Sequence, residues 1–363
     1  MNQLTAFPVL VLASDDDLPY RVVRCVSDAG LKPHVLGISG SAAARLAQSR
    51  YCRSYRAIPR EVLHSGAAVG EINALIRELA IELVIASDQA TTRFLSQHGM
   101  ALTARVLPVP DHRLFEHLLA KDRFAALCSA HGLPHPRTRT CATPDELLAL
   151  LDQGLPLPVM IKPTNLEGGN GVFKITRNDR ATRMKVAALS YRPILVQAFV
   201  AGDELSAMLL CEQGRLLASI VYHTGPREYR VLQDRELLEL MQRASRELRL
   251  HGVIGFDLLR QPAGPTWLIE CNPRFTYGGS LVSALAGYNF VRAFLAPDSV
   301  PAQAPAAIVH RAKLFRPWTL VAADQRHTRF LLSDARVNFA RACRDFWHVK
   351  IQRPLRTLAT TLR

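Results

Sequence analysis

Glu270, Asn272 and Arg274 stand at alternate positions where the apolar run Leu268-Ile269-Glu270-Cys271-Asn272-Pro273-Arg274 ends. On a β-strand, side chains two apart share a face. A carboxylate and an amide placed so offer oxygens to one hard cation, and the guanidinium stands beside the anion that the cation binds. Pro273 stops the strand where these groups emerge. Cys271 faces the other way, into the packing. A second acid, Asp257, interrupts the apolar run Gly255-Phe256-Asp257-Leu258-Leu259 on the preceding strand. A four-residue turn over residues 262–265 pairs Asp257 with Glu270, whereas a five-residue turn over residues 261–265 sends them to opposite faces. Side by side, two carboxylates repel, so the paired register makes sense with a cation between them. That register is predicted.

Three further segments carry related chemistry. In Met160-Ile161-Lys162-Pro163-Thr164-Asn165-Leu166-Glu167-Gly168-Gly169-Asn170-Gly171 a strand delivers a lysine, and a glycine-rich loop leads into another strand. Glycines let backbone N–H groups turn toward phosphate oxygens, and Lys162 supplies a point charge. No helix and no Gly-Lys-Ser/Thr follow, which excludes a Walker A loop. Lys121 is placed on a helix upstream. Val196-Gln197-Ala198-Phe199-Val200-Ala201-Gly202-Asp203-Glu204 is an apolar strand whose backbone could line a flat purine, with Glu204 reaching ribose hydroxyls.

The elements that must position these groups fall into two styles. Strands at residues 8–13, 33–38 and 83–86 alternate with helices at residues 19–29 and 71–80, which predicts a parallel α/β sheet. The first βα turn, Ala13-Ser14-Asp15-Asp16-Asp17, lacks Gly-x-Gly-x-x-Gly, so no dinucleotide is expected there. Leu107-Pro108-Val109-Pro110 marks a boundary, and residues 113–130 read as one helix. Beyond residue 156 strands dominate, at residues 159–162, 171–176, 194–200, 204–210, 216–222, 254–259 and 266–270, with one helix at residues 234–250. This part is α+β. Residues 301–305 form a proline-bounded linker into a basic carboxy-terminal part. The expected domains are 1–112, 113–300 and 301–363.

Composition sets the bounds. With 363 residues, 48% hydrophobic, the chain supports two or three cores. Seven dispersed cysteines without a Cys-x-x-Cys pair argue against a disulfide framework or a zinc site and fit a reducing, cytoplasmic compartment. The apolar run at residues 7–13 is too short for a signal peptide or a membrane span. Net charge is +14, and residues 302–363 hold twelve Lys and Arg against three Asp and Glu. Such a surface attracts anionic lipid, nucleic acid or phosphorylated ligands.

Taken in order, these segments resemble the ATP-grasp superfamily over residues 113–295, nearest its carboxylate–amine ligases and carbamoyl-phosphate-synthase-like proteins. The order is helix lysine, Lys–glycine loop, hinge strand with Gly-x-Glu, then an acid and Glu-x-Asn-Pro-Arg on adjacent strands. The Gly-Leu-Pro-x-Pro-Arg-Thr segment after Lys121 looks like the family's linker into its nucleotide subdomain. The resemblance implies a parallel-sheet pre-ATP-grasp domain, a two-subdomain ATP-grasp domain and a basic extension. It implies that Lys121 and Lys162 contact ATP phosphates under a loop including Asn165, Glu167, Gly168, Gly169 and Gly171. Gln197 and the backbone of Ala198 and Val200 would frame adenine, with Glu204 on ribose. Asp257, Glu270 and Asn272 would bind Mg2+, with Mn2+ as an alternative. Arg274 and Lys162 would serve the phosphoryl transfer. Gln197 departs from the usual Glu or Asp, and Asp257 from the usual Glu or Gln.

The implied activity is ligation of a small carboxylate, activated as an acyl phosphate, to an amine. A non-catalytic ATP sensor on the same fold is the competing reading. Arg227, Arg230 and the backbone of residues 277–280 are candidate substrate contacts, and Asp15, Asp16 and Asp88 are candidates for the amine. No nucleic-acid partner is expected. Residues 330–347 mix Phe, Leu, Val and Trp with arginines, so either they pack on the protein or they lie on an anionic membrane. Self-association is left open.

Overall fold

The computed structural model describes residues 6–164, 170–262, 264–311, 325–339 and 343. Its first sheet contains β1 (Pro8–Ala13), β2 (Lys32–Ile38), β3 (Ser54–Ile58), β4 (Leu83–Ala86) and β5 (Arg105–Val106), in the order β3-β2-β1-β4-β5. Every pairing is parallel. On β1, Val9, Val11 and Ala13 enter one core while Leu10 and Leu12 enter another. Both faces of the strand are therefore buried, which is why its sequence is an unbroken apolar run. The helix Asp17–Asp28 covers one face, and Ala68–Glu78 and Gln89–His98 cover the other.

The helix expected over residues 113–130 is in fact two, His112–Leu119 and Lys121–Ala130, broken at Ala120 with φ −80° and ψ 120°. The break lets Phe115 and Leu118 bury on one axis and Phe124 and Cys128 on another. It also sets Lys121 at the first position of the second helix.

Two antiparallel sheets follow. The smaller holds β6 (Thr138–Cys141), β7 (Val159–Pro163), β8 (Phe173–Ile175) and β9 (Ile194–Ala198), in the order β6-β9-β7-β8. Val159, Ile161, Ile194 and Val196 pack with Leu147, Leu151 and Val186 of the helices Pro144–Asp152 and Arg180–Ala187. Alternation then sends Met160, Lys162 and Gln197 to the opposite face. In register across that face run Thr138, Gln197, Met160 and Lys174.

The larger sheet holds β10 (Asp203–Glu212), β11 (Arg215–Thr224), β12 (Glu228–Leu232), β13 (Gly252–Arg260), β14 (Thr266–Asn272) and β15 (Ala307–His310), in the order β14-β13-β10-β11-β12-β15. One face carries Leu205, Ala207, Ile254, Phe256, Leu258, Leu268 and Cys271 against the helices Lys121–Ala130 and Arg235–Glu247. On the other face, Met208, Leu210, Ile220 and Tyr222 share a core with β1 and the helix Tyr277–Leu285.

The described part of the carboxy-terminal segment packs on the protein. The helix Gln325–Leu332 brings Phe330 edge-on to Tyr20 at 6.4 Å and beneath the Arg24 guanidinium at 3.8 Å. Asn338 Nδ2 donates to Tyr20 Oη at 3.2 Å and to the Leu331 carbonyl at 2.9 Å, and Ser49 Oγ donates to Asp334 Oδ2 at 2.5 Å. Phe330, Leu331 and Val337 are buried, while Leu332 and Phe339 are exposed. The expected amphipathic stretch thus spends three of its apolar residues on the protein core up to residue 339. Residues 340–342 and 344–347 lie outside the described residues. Among the described residues no helix is long and apolar enough to cross a membrane.

Candidate active site

Asp257 and Glu270 are paired across β13 and β14, as the sequence predicts, but by a different route. Arg260 pairs with Thr266, so the turn takes the five residues 261–265, and Leu258 pairs with Leu268. Between Leu258 and Asp257 the register shifts by one residue, and Ile269 is the residue left over. This β-bulge returns Glu270 to the face of Asp257. It also explains how Leu268 and Cys271, three positions apart, are both buried on the opposite face. The expected four-residue turn is replaced because the bulge puts Leu268, not Ile269, into the core beside Leu258.

Asn272 follows on the Glu270 face, opposite Gly255. The chain then turns sharply, with Arg274 N donating to the Asn272 carbonyl at 2.7 Å. A Cβ at position 255 would collide with the Thr276 methyl, so glycine is what lets this turn close onto β13. The turn buries Arg274 to 9% exposure. Its guanidinium donates to the Phe275 carbonyl at 3.1 Å and to Asn272 Oδ1 at 3.4 Å, while buried Nε has no protein acceptor. Thr276 caps the helix Tyr277–Leu285 through Gly279 N, so the Tyr277–Ser280 segment forms the start of a helix.

Lys121 lies 3.2 Å from Glu270 Oε1. Lys162 donates to Gln197 Oε1 at 2.7 Å and faces the same carboxylates. Burial pushes the Lys162 ammonium below its ordinary range, Glu270 opposes that, and Lys121 adds to it. Asp257 opens to the cleft but is walled by protein on its remaining sides. Desolvation raises its carboxyl to about 6, with help from Glu270 and Glu204. Three acids, Asp257, Glu270 and Glu204, thus stand with three cations, Lys121, Lys162 and Arg274.

A divalent cation suits this donor set. Among the described residues no three His, Cys, Asp or Glu side chains cluster closely enough to hold a metal unaided. Two carboxylates and an amide match the habit of Mg2+, which takes one or two carboxylates and completes its octahedron with phosphates and water. Burial first, and the neighbouring Glu270 and Glu204 after it, disfavour the charged form of Asp257, which a cation bound there would favour.

Gln197 points at Lys162 and also donates from Nε2 to His135 Nε2 and Thr138 Oγ1, both at 3.1 Å. In the sequence His135 and Thr138 carry no signal beyond their place in the Gly-Leu-Pro-x-Pro-Arg-Thr segment, where His135 is the variable position. The Ala198 N–H is committed to the Arg137 carbonyl at 2.8 Å and so is not offered to a ligand. Glu204 is exposed on the face of Asp257, and Val200 follows the end of β9. Gly171 has φ +74°, a conformation that favours glycine, and its carbonyl accepts from Tyr191 Oη at 2.8 Å. Asn165, Glu167, Gly168 and Gly169 lie outside the described residues. Lys174, unremarked in the sequence, has its ammonium 3.2 Å from the centroid of the Phe199 ring.

The amine candidates meet at the carboxyl edge of the first sheet. Asp16 pairs with Arg45 at 2.9 Å, Asp88 accepts from Ser14 N at 2.6 Å, and Asp15 accepts from Tyr277 Oη at 3.3 Å. Burial raises the Asp15 carboxyl. Tyr277 joins this edge to Arg274 through the short segment between them. Arg230, exposed on β12, instead pairs with Glu228 at 2.7 Å, and the Arg227 carbonyl accepts from Arg311 N at 2.7 Å.

Comparison with known proteins agrees with this fold. The family described as "ATP-grasp in the biosynthetic pathway with Ter operon" matches residues 190–314. The D-alanine–D-alanine ligase of Azoarcus sp. (strain BH72) is 27% identical over 231 residues, 54% of this chain and 75% of that protein. Among solved structures, an ADP complex of N5-carboxyaminoimidazole ribonucleotide synthetase superposes with a TM-score of 0.64 at 14% identity, covering 89% of this chain and 88% of its own. The L-amino acid ligase from Bacillus licheniformis gives a TM-score of 0.55 at 18% identity, covering 80% of this chain and 73% of its own. Over residues 190–314 the chain is thus similar to an ATP-grasp family, and over a longer stretch to a D-alanine–D-alanine ligase.

Proposed function

We propose that the protein is an ATP-dependent ligase that activates a small carboxylate as an acyl phosphate and joins it to an amine, releasing ADP and phosphate. The observation that carries this reading is the opposed pair Asp257 and Glu270 with Lys121, Lys162 and Arg274 around it. A carboxylate oxygen is a poor leaving group, and phosphorylation by ATP converts it into one that an amine displaces. The protein's part is positioning and neutralisation of charge.

Lys162 and Lys121 sit where phosphate oxygens would approach the two carboxylates. Both are held in place before the ligand arrives, Lys162 by Gln197 and Lys121 by Glu270. Arg274 presents a guanidinium fixed by its own turn toward the phosphoryl group in transit. Asp257, Glu270 and Asn272 would hold Mg2+, which when bound would neutralise the phosphates. The reading of Gln197, Ala198, Val200 and Glu204 as the adenine and ribose wall, and of residues 165–171 as the loop over the phosphates, belongs to the same proposal. The loop's task would be to keep water from an acyl phosphate.

The test is ADP release from Mg·ATP against a panel of carboxylates and amines, with mass detection of the product. Turnover that needs both an acid and an amine, and that Glu270→Ala abolishes, is the expected result. ATP binding without ADP release across the panel would leave a nucleotide sensor, and unchanged ADP release in Glu270→Ala would overturn the site.

A further inference from the structure

At position 197 this chain carries an amide, and an amide has two unlike ends. Which end faces the cleft decides whether the site offers an acceptor or a donor. The hydrogen bonds around Gln197 permit one answer. His135 Nδ1 lies 2.7 Å from the Leu268 carbonyl, which can only accept, so Nδ1 carries the proton and Nε2 is a lone pair. Thr138 Oγ1 gives its own proton to the Pro136 carbonyl at 2.7 Å and so is likewise an acceptor toward Gln197. Gln197 Nε2 donates to both at 3.1 Å, and Oε1 accepts from Lys162 at 2.7 Å. A flipped amide would set its NH2 against an ammonium and its oxygen against two lone pairs.

We propose that His135 is a positioning residue that, with Thr138, locks the Gln197 amide so that only its carbonyl faces Lys162 and the base, selecting a 6-amino over a 6-oxo purine. The inference rests on the reading of this cleft as the nucleotide site. Gln197 is 2% exposed, so its orientation is fixed by protein and not by water. Desolvation drives the imidazole down to about 4, which keeps it neutral and its lone pair available. A carboxylate at this position would need no such device, because its two oxygens are alike. The lock is a consequence of having glutamine here.

Mg·ATP and Mg·ITP titrated calorimetrically into the full chain provide the test. In the native protein ATP should bind more tightly than ITP. In His135→Leu that preference should fall by about tenfold, the worth of one oriented hydrogen bond. His135→Gln, whose side-chain oxygen reaches the place of imidazole Nε2, should restore most of it. Thr138→Val removes the second acceptor while leaving the imidazole packed, and should lower the preference even if His135→Leu folds poorly. An unchanged ATP-to-ITP ratio in His135→Leu and Thr138→Val overturns the inference, as does a His135→Gln no better than His135→Leu. If the native chain binds neither nucleotide, the nucleotide reading itself falls, and this inference with it.

Discussion

Asp257 and Glu270 face each other because Ile269 is set out of register between β13 and β14. Were the ladder to run on regularly from its five-residue turn, Ile269 would stand opposite Asp257 and Glu270 would enter the core beside Phe256. One extra residue therefore separates a cation site from a buried, unpaired acid. The pairing sets like charges together, and the Asp257 carboxyl, raised first by desolvation, is raised further by Glu270 and Glu204.

Relieving that repulsion should separate stability from binding. Asp257→Asn is expected to raise the thermal midpoint of the ligand-free protein at pH 7.5, since one like charge is gone and the amide keeps the shape. The same change should weaken Mg-dependent ATP binding by about tenfold or more, because a neutral oxygen is a poorer partner for Mg2+. Thermal melts with and without Mg·ATP check both signs. A fall in both quantities would mean that Asp257 is chiefly structural.

Much of this site was legible because its chemistry is tied to local spacing. Glu270 and Asn272 are read from alternation alone and Cys271 is buried as alternation requires, whereas Arg274 is placed by the turn after the strand. The first sheet was legible too, since β1, β2 and β4 are apolar runs between helical patterns. What stayed hidden depends on tertiary contacts. Ala120 favours helix by propensity, yet the chain breaks there so that Lys121 can meet Glu270. The strand Thr138–Cys141 reads as polar because only Cys141 is buried on it. Tyr277–Leu285 begins with Gly278 and Gly279, poor helix formers, which close approaches to Tyr222 and Met208 require. The bulge left no mark except Leu268 and Cys271 three positions apart, which two-residue alternation cannot bury together.

Among the described residues Arg274 is held by its own turn and by no ion pair with an acid, so its guanidinium is presented to an anion. Arg274→Lys keeps the charge but loses the planar fork. ADP formation should fall by about 100-fold, as for loss of one positioned charge in a transition state. ATP affinity should change by less than about threefold, roughly the smallest share of one hydrogen bond. Steady-state rates beside calorimetric affinities separate the two. Equal losses in both would assign Arg274 to ground-state binding.

Gly255 tests whether the turn after Asn272 is built by close contact. An added Cβ meets the Thr276 methyl, and either β13 or the turn must move. Gly255→Ala should cost about 1–3 kcal/mol of stability by overpacking. The displaced turn carries Arg274, so ADP formation should drop further than ATP affinity. Gly255→Ala with Thr276→Ser, which removes the opposing methyl, should recover both the melt and the rate.

Phe330 anchors the carboxy-terminal helix against Tyr20 and Arg24, far from the cation site along the chain and on the first sheet's side of the core. Its side chain is 3% exposed, so Phe330→Ala should destabilise the protein by about 3–5 kcal/mol. ATP affinity measured well below the melting point should be unchanged. A variant with native stability would show that this helix does not form part of the folded core in solution.

His135 supplies the pH dependence. Its folded pKa, about 4, lies below the ordinary 6.5, with burial as the main cause and the Lys162 charge as a lesser one. A depressed pKa means that the unfolded chain takes up the proton first. The stability held by neutral His135 is therefore complete above pH 6.5, declines as pH falls, and is lost by about pH 4. Carboxylates titrate in the same range, so the informative quantity is a difference. Native protein and His135→Gln should keep a constant gap in unfolding free energy from pH 8 to about 6.5. Below that the native protein should lose roughly 1–3 kcal/mol relative to the variant, less than the full shift implies because the ring is partly exposed. Urea titrations at half-unit pH steps give the gap directly. A gap that stays flat down to pH 4 would mean that the imidazole is not held neutral by its burial and the Lys162 charge. A gap that opens in the opposite sense would mean that it is buried in its charged form.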